Sequence, residues 1–288
     1  MTFQWHHFEL GDPKLPDWLS ANVPDIAASA LTQSETRPRC DRLGDGVILN
    51  LRGVNLNEGQ DVEDMVSLRL WVTSDMIVTV RMRRIFALED IRKQIAEGIG
   101  PETVGEFLTL LVTGLTDRIE NTALRLTSAT DDMEDAVLEG GREDLAGLGP
   151  LRHTTIKLRR YIGPQKDALV KLAALDSPVL TEADKLQLRE PANRMALALE
   201  ALDAVRDRLL GLQDHLDIQA SLSQGRNGYV LSLIAGVFLP LGFLTGLFGM
   251  NVAGLPGTEW PMSFALLCIA MVAVAAALVA VFKWLDWL

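Results

Sequence analysis

Few side chains in this sequence are of the types that bind a metal ion, and the best group lies at 214–217. The chain has four histidines, and His215 is flanked by the carboxylates of Asp214 and Asp217. Imidazole and carboxylate are both metal ligands, and Asp214 and Asp217 share one face of a helix at i, i+3 spacing. One helix supplies too few ligands for a tight site. Either a ring of subunits completes a weak metal site here, or these residues form a solvated helix face.

A second candidate group is a series of small side chains between residues 227 and 251. They recur along one side of a helix, with a leucine among them: Gly228, Ser232, Ala235, Gly236, Leu239, Gly242, Gly246 and Gly249. Such a surface lets another helix pack closely. If several copies of the chain surround one axis, the same surface leaves a water-wide path, with Leu239 as an apolar constriction. The residues alone leave both interpretations open.

The stretch that carries these residues is long and apolar enough to cross a membrane. No charged residue occurs at 227–258, and the apolar run at 229–248 matches the ~20 residues that a helix needs to span a hydrocarbon core. A second uncharged run follows at 261–282. Because open strands cannot satisfy their backbone polar groups in lipid, two spans so close together predict a helical hairpin.

The flanking charges predict the orientation of this hairpin. Arg226 and Lys283 lie at the outer ends of the two spans, on the same side, whereas the connection at 251–261 has no Lys or Arg. Cytoplasmic flanks carry the excess of such residues. Residues 1–14 have neither a basic region nor an apolar core, so we expect no cleavable secretion signal. We therefore expect a multi-pass protein of the cytoplasmic membrane with both termini in the cytoplasm.

The composition limits the function classes. The chain of 288 residues has a formal net charge of −11, which argues against a nucleic-acid partner and favours the attraction of cations. It has no Gly-Lys-Ser/Thr phosphate-binding loop, so ATP hydrolysis is not expected as an energy source. The two cysteines, Cys40 and Cys268, lie far apart and do not indicate a disulfide framework. We expect no enzymatic chemistry and no cofactor.

The residues before the spans predict an α+β fold. Up to about Arg84 short apolar runs alternate with turn residues, which predicts a small mixed or antiparallel sheet. Beyond Arg84 apolar residues recur at threes and fours, interrupted at Gly140-Gly141, which predicts a long antiparallel helical hairpin. We divide the chain into a mixed α/β cytoplasmic domain with this hairpin at 1–180, a stalk helix at 181–227 and two transmembrane helices at 228–288.

The stalk helix is predicted from a heptad seam. Its a and d positions are Met195, Ala198, Leu202, Val205, Leu209, Leu212 and Leu216, and a seam of this length needs partner helices. No strong helix breaker separates it from the first span, since Gly225 and Gly228 each weaken a helix by only about 1 kcal/mol. We therefore expect one very long helix that runs from the stalk into the membrane.

The end of the first span carries a motif. The segment FLPLGFLTGLFGMNVAGLPG at 238–257 resembles the CorA superfamily of divalent-cation transporters, whose signature is a Gly-Met-Asn tripeptide at the outer end of the first of two C-terminal spans. Here the tripeptide is Gly249-Met250-Asn251. Magnesium-transporting relatives commonly continue with Met-Pro-Glu-Leu, which is absent. The chain looks most like the ZntB-type zinc transporters of that superfamily.

This resemblance implies a homopentamer with a funnel-shaped cytoplasmic domain, in which the first span lines the pore and the second faces lipid. The tripeptide Gly249-Met250-Asn251 would form the outer entrance and selectivity region. A ring of Asn251 amide oxygens can hold a hydrated divalent ion without stripping its first shell of water. Five copies of Glu259 in the following loop would concentrate cations, although a single loop glutamate is also simply solvated.

The main expectation is therefore zinc transport through a pore formed by five copies of the chain. The ion is the substrate that passes through the protein. Two alternatives remain open at this point. One is a magnesium or cobalt channel of the CorA type, and the other is a membrane-anchored, metal-sensing scaffold that transports nothing.

Overall fold

The computed structural model describes residues 1–34, 36–139, 146–250, 255, 257 and 260–285. The chain forms two compact units, Met1–Gln213 and Asp214–Leu288. The first contains a five-stranded sheet and the greater part of the helices, and the second contains two long apolar helices. This is the predicted α+β architecture.

The sheet of the first unit is mixed. Its strands stand in the order β1-β5-β4-β3-β2, and only the β1–β5 pair is parallel. The strands are β1 (Gln4–Glu9), β2 (Arg39–Leu43), β3 (Gly46–Gly53), β4 (Val66–Val72) and β5 (Met76–Arg81). Every residue of β4 is buried, which is typical of a central strand covered on both faces.

The described part of the chain contains seven helices, of which the first six cover the two faces of the sheet. They are α1 (Leu15–Asn22), α2 (Asp25–Thr32), α3 (Phe86–Ala96), α4 (Val104–Leu138), α5 (Leu148–Ala173), α6 (Glu182–Phe248) and α7 (Ser263–Trp284). One sheet face packs with α1 and α2 through Ile48, Trp71 and Val80. The other face joins the larger core with α3, α4, α5 and α6.

Ion pairs show the relative directions of the three long helices. On α6, Arg194 pairs with Asp117 and Glu120 of α4. Two heptads further along both helices the arrangement is repeated, where Arg208 pairs with Asp131 (2.6 Å) and Glu134 (2.5 Å). Because the residue numbers rise together, α4 and α6 run parallel.

Helix α5 is antiparallel to both α4 and α6. Its residue Arg159 pairs with Asp203 of α6, and Arg152, one heptad earlier on α5, donates to Gln213, later on α6 (2.5 Å). The order of these contacts makes α5 antiparallel to α6. Since α4 and α6 are parallel, α4 and α5 form the predicted antiparallel hairpin, with residues 140–145 of its connection outside the described residues.

The predicted long helix is α6, and it is continuous from Glu182 to Phe248. Its heptad seam is buried in the first unit at Met195, Ala198, Leu202, Val205 and Leu209. In the second unit Leu216 is half-buried, and every residue at 217–232 is exposed. Among the described residues nothing covers that part of α6.

His6 and His7 lie on opposite faces of β1, as adjacent strand residues must. The ring of His6 lies against Trp18 (4.6 Å between ring centroids), whereas Nδ1 of His7 shares a hydrogen bond with the Thr79 hydroxyl (2.8 Å). Burial of His7 and the positive charges of Arg81 and Arg92 lower its pKa from 6.5 to about 4. His7 is therefore neutral in the folded protein at neutral pH.

This pKa predicts a loss of stability in mild acid. The unfolded chain binds a proton at His7 below about pH 6.5 and the folded protein only below about pH 4, so stability falls as the pH is lowered through this window. The variant His7→Gln lacks this contribution. Between pH 7 and pH 4.5 its apparent midpoint of thermal unfolding should therefore fall by about 4 °C less than that of the unaltered protein. His153→Gln, at an exposed position of α5, is the matched control. Equal pH dependence in both variants would contradict the assignment.

Candidate functional site

The second unit holds two helices that are long and apolar enough to cross a membrane. The relevant windows of α6 and α7 have mean hydropathies of 2.2 and 2.9, and neither window is buried inside the chain. Exposed apolar helices of this length are unfavourable in water and match the thickness of a hydrocarbon core. The structure thus places both predicted spans on helices.

One side of α6 packs with α7. A Cβ atom added to Gly236 would lie 2.8 Å from Cζ of Phe282 on α7, so the Phe282 ring packs closely on the helix at this glycine. The half-buried residues around this contact are Leu233, Val237, Pro240, Leu244 and Leu247. At about 100° of rotation per residue, they point about 80–160° away from Leu239, which lies on another side of the helix.

The candidate pore residues occupy that other side of α6. Gly228, Ser232, Ala235, Leu239, Gly242 and Gly246 follow one another at alternating spacings of four and three residues and therefore share one helix face. A Cβ atom added to Gly228, Gly242 or Gly246 would meet nothing within 4 Å, and Leu239 is 71% exposed. Of this set only Ala235 is half-buried.

The sequence pattern grouped Gly236 with these small residues, and the structure separates it from them. Gly236 contacts α7, whereas the face around Leu239 is exposed except at the half-buried Ala235. Sequence reasoning missed the contact with Phe282. A signal existed, since Gly236 departs by one position from the alternating four-and-three spacing of the others.

Two hydroxyl groups of the span bond within α6 itself. The hydroxyl of Ser232 donates to the Gly228 carbonyl and that of Thr245 to the Gly242 carbonyl, each over 3.0 Å. Pro240 has no N–H, so it cannot supply the helical hydrogen bond to the Gly236 carbonyl. In a hydrocarbon environment these internal hydrogen bonds remove a cost of several kcal/mol per unpaired group.

Helix α6 ends at the predicted tripeptide. The Gly249 N–H donates to the Thr245 carbonyl (2.9 Å), and a Cβ atom on Gly249 would lie 2.8 Å from that same oxygen. Glycine thus allows the helix to close at this position. Met250 is 47% exposed, and Asn251 and Glu259 lie outside the described residues.

Comparison with known proteins identifies the family of the chain. The family profile described as "CorA-like Mg2+ transporter protein" matches residues 1–283. This chain belongs to the CorA-like transporter family. Divalent cation transport across a membrane is therefore its function, and the family is one of transporters rather than enzymes.

Individual relatives align with nearly the whole chain. The chain is 36% identical over 289 residues to the divalent cation transporter CmaX of Pseudomonas aeruginosa, covering 99% of this chain and 87% of the relative. It is 34% identical over 286 residues to the zinc transport protein ZntB of Pectobacterium carotovorum, covering 99% and 88%. The solved structure of full-length CmaX superposes with a TM-score of 0.84 at 35% identity, covering 98% of this chain and 88% of that one.

The predicted metal-binding residues of this CorA-family chain are exposed on α6. The ring Nε2 of His215 lies 2.8 Å from Nε2 of Gln219, one turn further along the helix. Asp214 and Asp217 are exposed, and no three ligand-type side chains of the described residues form a group that could hold a metal ion. A role for Asp214, His215 and Asp217 in metal binding stays a prediction.

The two faces of α6 predict opposite effects of the same substitution. Gly236→Leu places a side chain against Phe282, so the Phe282 ring or α7 must shift, and we expect a lower midpoint of thermal unfolding. Gly242→Leu fills open space in the single chain and should leave folding nearly unchanged while it obstructs ion passage. Thermal unfolding in detergent and ion flux in proteoliposomes measure both effects. Equal destabilisation by the two variants would show that the faces are assigned wrongly.

Proposed function

We propose that this chain forms a homopentamer that passes zinc across the cytoplasmic membrane, with α6 of each subunit lining the pore. The observation that carries the proposal is the face of α6 at Leu239, which is lined with small residues and lies away from α7. If five such faces surround one axis, they line a shared path, which explains why this side of an apolar helix carries small side chains. Helix α7 would then face lipid.

Gly249, Met250 and Asn251 are proposed as the outer entrance and selectivity region. Helix α6 ends at Phe248, so the tripeptide begins directly after the helix, where we place the mouth of the pore. An amide oxygen from each Asn251 would meet a hydrated cation there. Neutral oxygen ligands bind weakly enough for the ion to leave again, as conduction requires.

The orientation proposal rests on charge. Arg226 precedes the apolar part of α6, and Lys283 lies in the last turn of α7, so both mark the same membrane boundary. The positive-inside tendency puts this boundary in the cytoplasm, together with the unit Met1–Gln213 and both termini. In functional terms we retain a cytoplasmic domain at 1–180, a stalk at 181–227 and a membrane domain at 228–288.

At the inner end of the pathway, five copies of Asp214, His215 and Asp217 would form an acidic ring with imidazoles. A single chain supplies at most one incomplete set of ligands, so binding by the ring would be weak. Weak binding suits a site that ions must leave.

Zinc is favoured by the ZntB relatives at 34% identity and by the absence of Met-Pro-Glu-Leu after the tripeptide. Magnesium is the second candidate, favoured by the description of the matching family. The two ions differ in their demands: Mg²⁺ gives up its water reluctantly, whereas Zn²⁺ takes nitrogen and sulfur ligands readily. An entrance of amide oxygens alone does not separate them.

Flux measurements in proteoliposomes test this proposal. Zinc and magnesium are offered separately with an imposed pH gradient in either direction, and we expect zinc flux. Asn251→Ala should lower flux at least about tenfold, because every subunit loses a ligand or hydrogen bond at the entrance. Asn193→Ala, at an exposed position of α6 in the first unit, is the matched control. Magnesium flux without zinc flux would overturn the choice of ion, and no flux of either ion would overturn the proposal.

A separate prediction concerns Glu259 in the loop after the tripeptide. If five carboxylates concentrate cations at the mouth, Glu259→Gln should lower uptake about twofold or more at low ionic strength. The difference should vanish near physiological ionic strength, where the screening length is about 8 Å. Initial uptake rates at the two salt concentrations measure it. Unchanged uptake at low salt would mean that Glu259 is an ordinary solvated side chain.

A further inference from the structure

A cavity of about 500 Å³ opens in the first unit, and none of the predicted pore or metal-binding residues lines it. It lies between the segment that follows α2, the strands β3 and β4 and the middle of α5. The charged side chains of its lining are Arg37, Arg52, Glu63, Asp64, Arg83, Lys157 and Arg160. Its volume is in the range of small-molecule sites.

The lining is basic in an acidic protein. Five cationic and two anionic side chains occur among the described lining residues, whereas the whole chain has a net charge of −11. Lys157 pairs with Asp64 (3.2 Å), and Arg83 donates to the neutral amide oxygen of Gln60 (2.7 Å). Arg37 and Arg160 make no ion pair within the described part of the chain. Cationic side chains gathered in one concave surface raise the local concentration of anions.

Below the cavity lies a buried cation. Arg69 is fully buried on β4, two residues from the lining residue Ser67, and donates through Nη2 to the carbonyls of Gln33 (2.6 Å) and Ser34 (3.1 Å). Its Nε and Nη1 have no hydrogen-bond partner among the described residues. Burial, and then the charge of Arg52, lower the pKa of Arg69. A buried charge without an opposite charge is costly, and a nearby anion offsets that cost.

The wall of the cavity is held in place before any ligand binds. Arg52 donates to the carbonyls of Thr36 (2.9 Å) and Met65 (2.7 Å), and its guanidinium lies over the ring of Tyr161 at 3.9 Å. Thr36 is 6% exposed, and its hydroxyl has no partner in the described structure. Preorganised donors of this kind reduce the cost of binding.

We propose that this cavity binds a phosphate-bearing small molecule. Guanidinium groups match phosphate oxygens in geometry and form charge-assisted hydrogen bonds with them. Arg37 and Arg160 contact the phosphate, and Lys157 adds a third positive charge from α5. The volume exceeds that of a phosphate ion and admits a nucleoside diphosphate, with the Tyr161 side of the cavity next to the organic part. Glu35, between two lining residues in the sequence, lies outside the described residues.

Calorimetric titration of the full-length protein in detergent tests the site. Inorganic phosphate, ADP and adenosine are titrated separately in metal-free buffer at low salt. We expect binding of phosphate and ADP but not of adenosine. The affinity for ADP should exceed that for phosphate if the adenosine part of ADP contacts the cavity, and should equal it if only the phosphate groups do. Affinity should fall as salt is raised, because the contacts are ionic. No binding of phosphate or ADP at 10 mM, roughly the limit of useful affinity for a small anion, would overturn the proposal.

Variants locate the site. Arg37→Gln and Arg160→Gln should each weaken phosphate and ADP binding about tenfold, as expected for the loss of one charge-assisted hydrogen bond. Arg189→Gln removes the same charge at an exposed position of α6 outside the cavity and should bind as the unaltered protein does. The midpoint of thermal unfolding shows whether each variant is folded, and Lys157→Gln replaces any variant that is not. Equal affinity in cavity and control variants would place the anion elsewhere and overturn the proposal.

Discussion

A helix that crosses a hydrocarbon core must satisfy its backbone within itself, and α6 is helical throughout its apolar part. The hydroxyls of Ser232 and Thr245 bond back to their own helix, and Pro240 leaves one carbonyl without its helical donor. Because the other backbone groups of the span bond within the helix, the surface of α6 is defined mainly by side chains. The two faces therefore differ only in side-chain size and cover, and every functional interpretation of the span depends on that difference.

Helix packing in the first unit rests on a different interaction. The Arg194 and Arg208 clusters repeat after two heptads and connect α4 with α6. Bonding to Arg208 lowers the pKa of Glu134, and the two acidic partners raise that of Arg208. Single exposed ion pairs contribute little to stability, but these pairs lie beside a buried heptad seam and specify its register. A slip by one heptad would leave both clusters without their partners.

Electrostatics separate the chain into regions of opposite character. The tip of α4 and the exposed stretch of α6 near Asp214 are acidic, as the net charge predicts for a protein that handles cations. The cavity beside Arg37 and Arg160 is basic. A global excess of negative charge thus coexists with a local positive surface because positions remote in sequence, from α2 to α5, converge there. Composition alone does not indicate such a surface.

Much of this architecture follows from the sequence by itself. Hydropathy and length determine the two spans, heptad spacing determines the buried residues of α6 from Met195 to Leu209, and the tripeptide at 249–251 indicates the family. These features are periodic or contiguous, so they are visible along one chain. Tertiary structure alone decided that β1 pairs in parallel with β5, that α4 and α6 run parallel, and that Gly236 packs against Phe282 while Gly242 does not. Those outcomes depend on contacts between residues far apart in the sequence, where side-chain shape and charge select one packing among several that the local pattern allows.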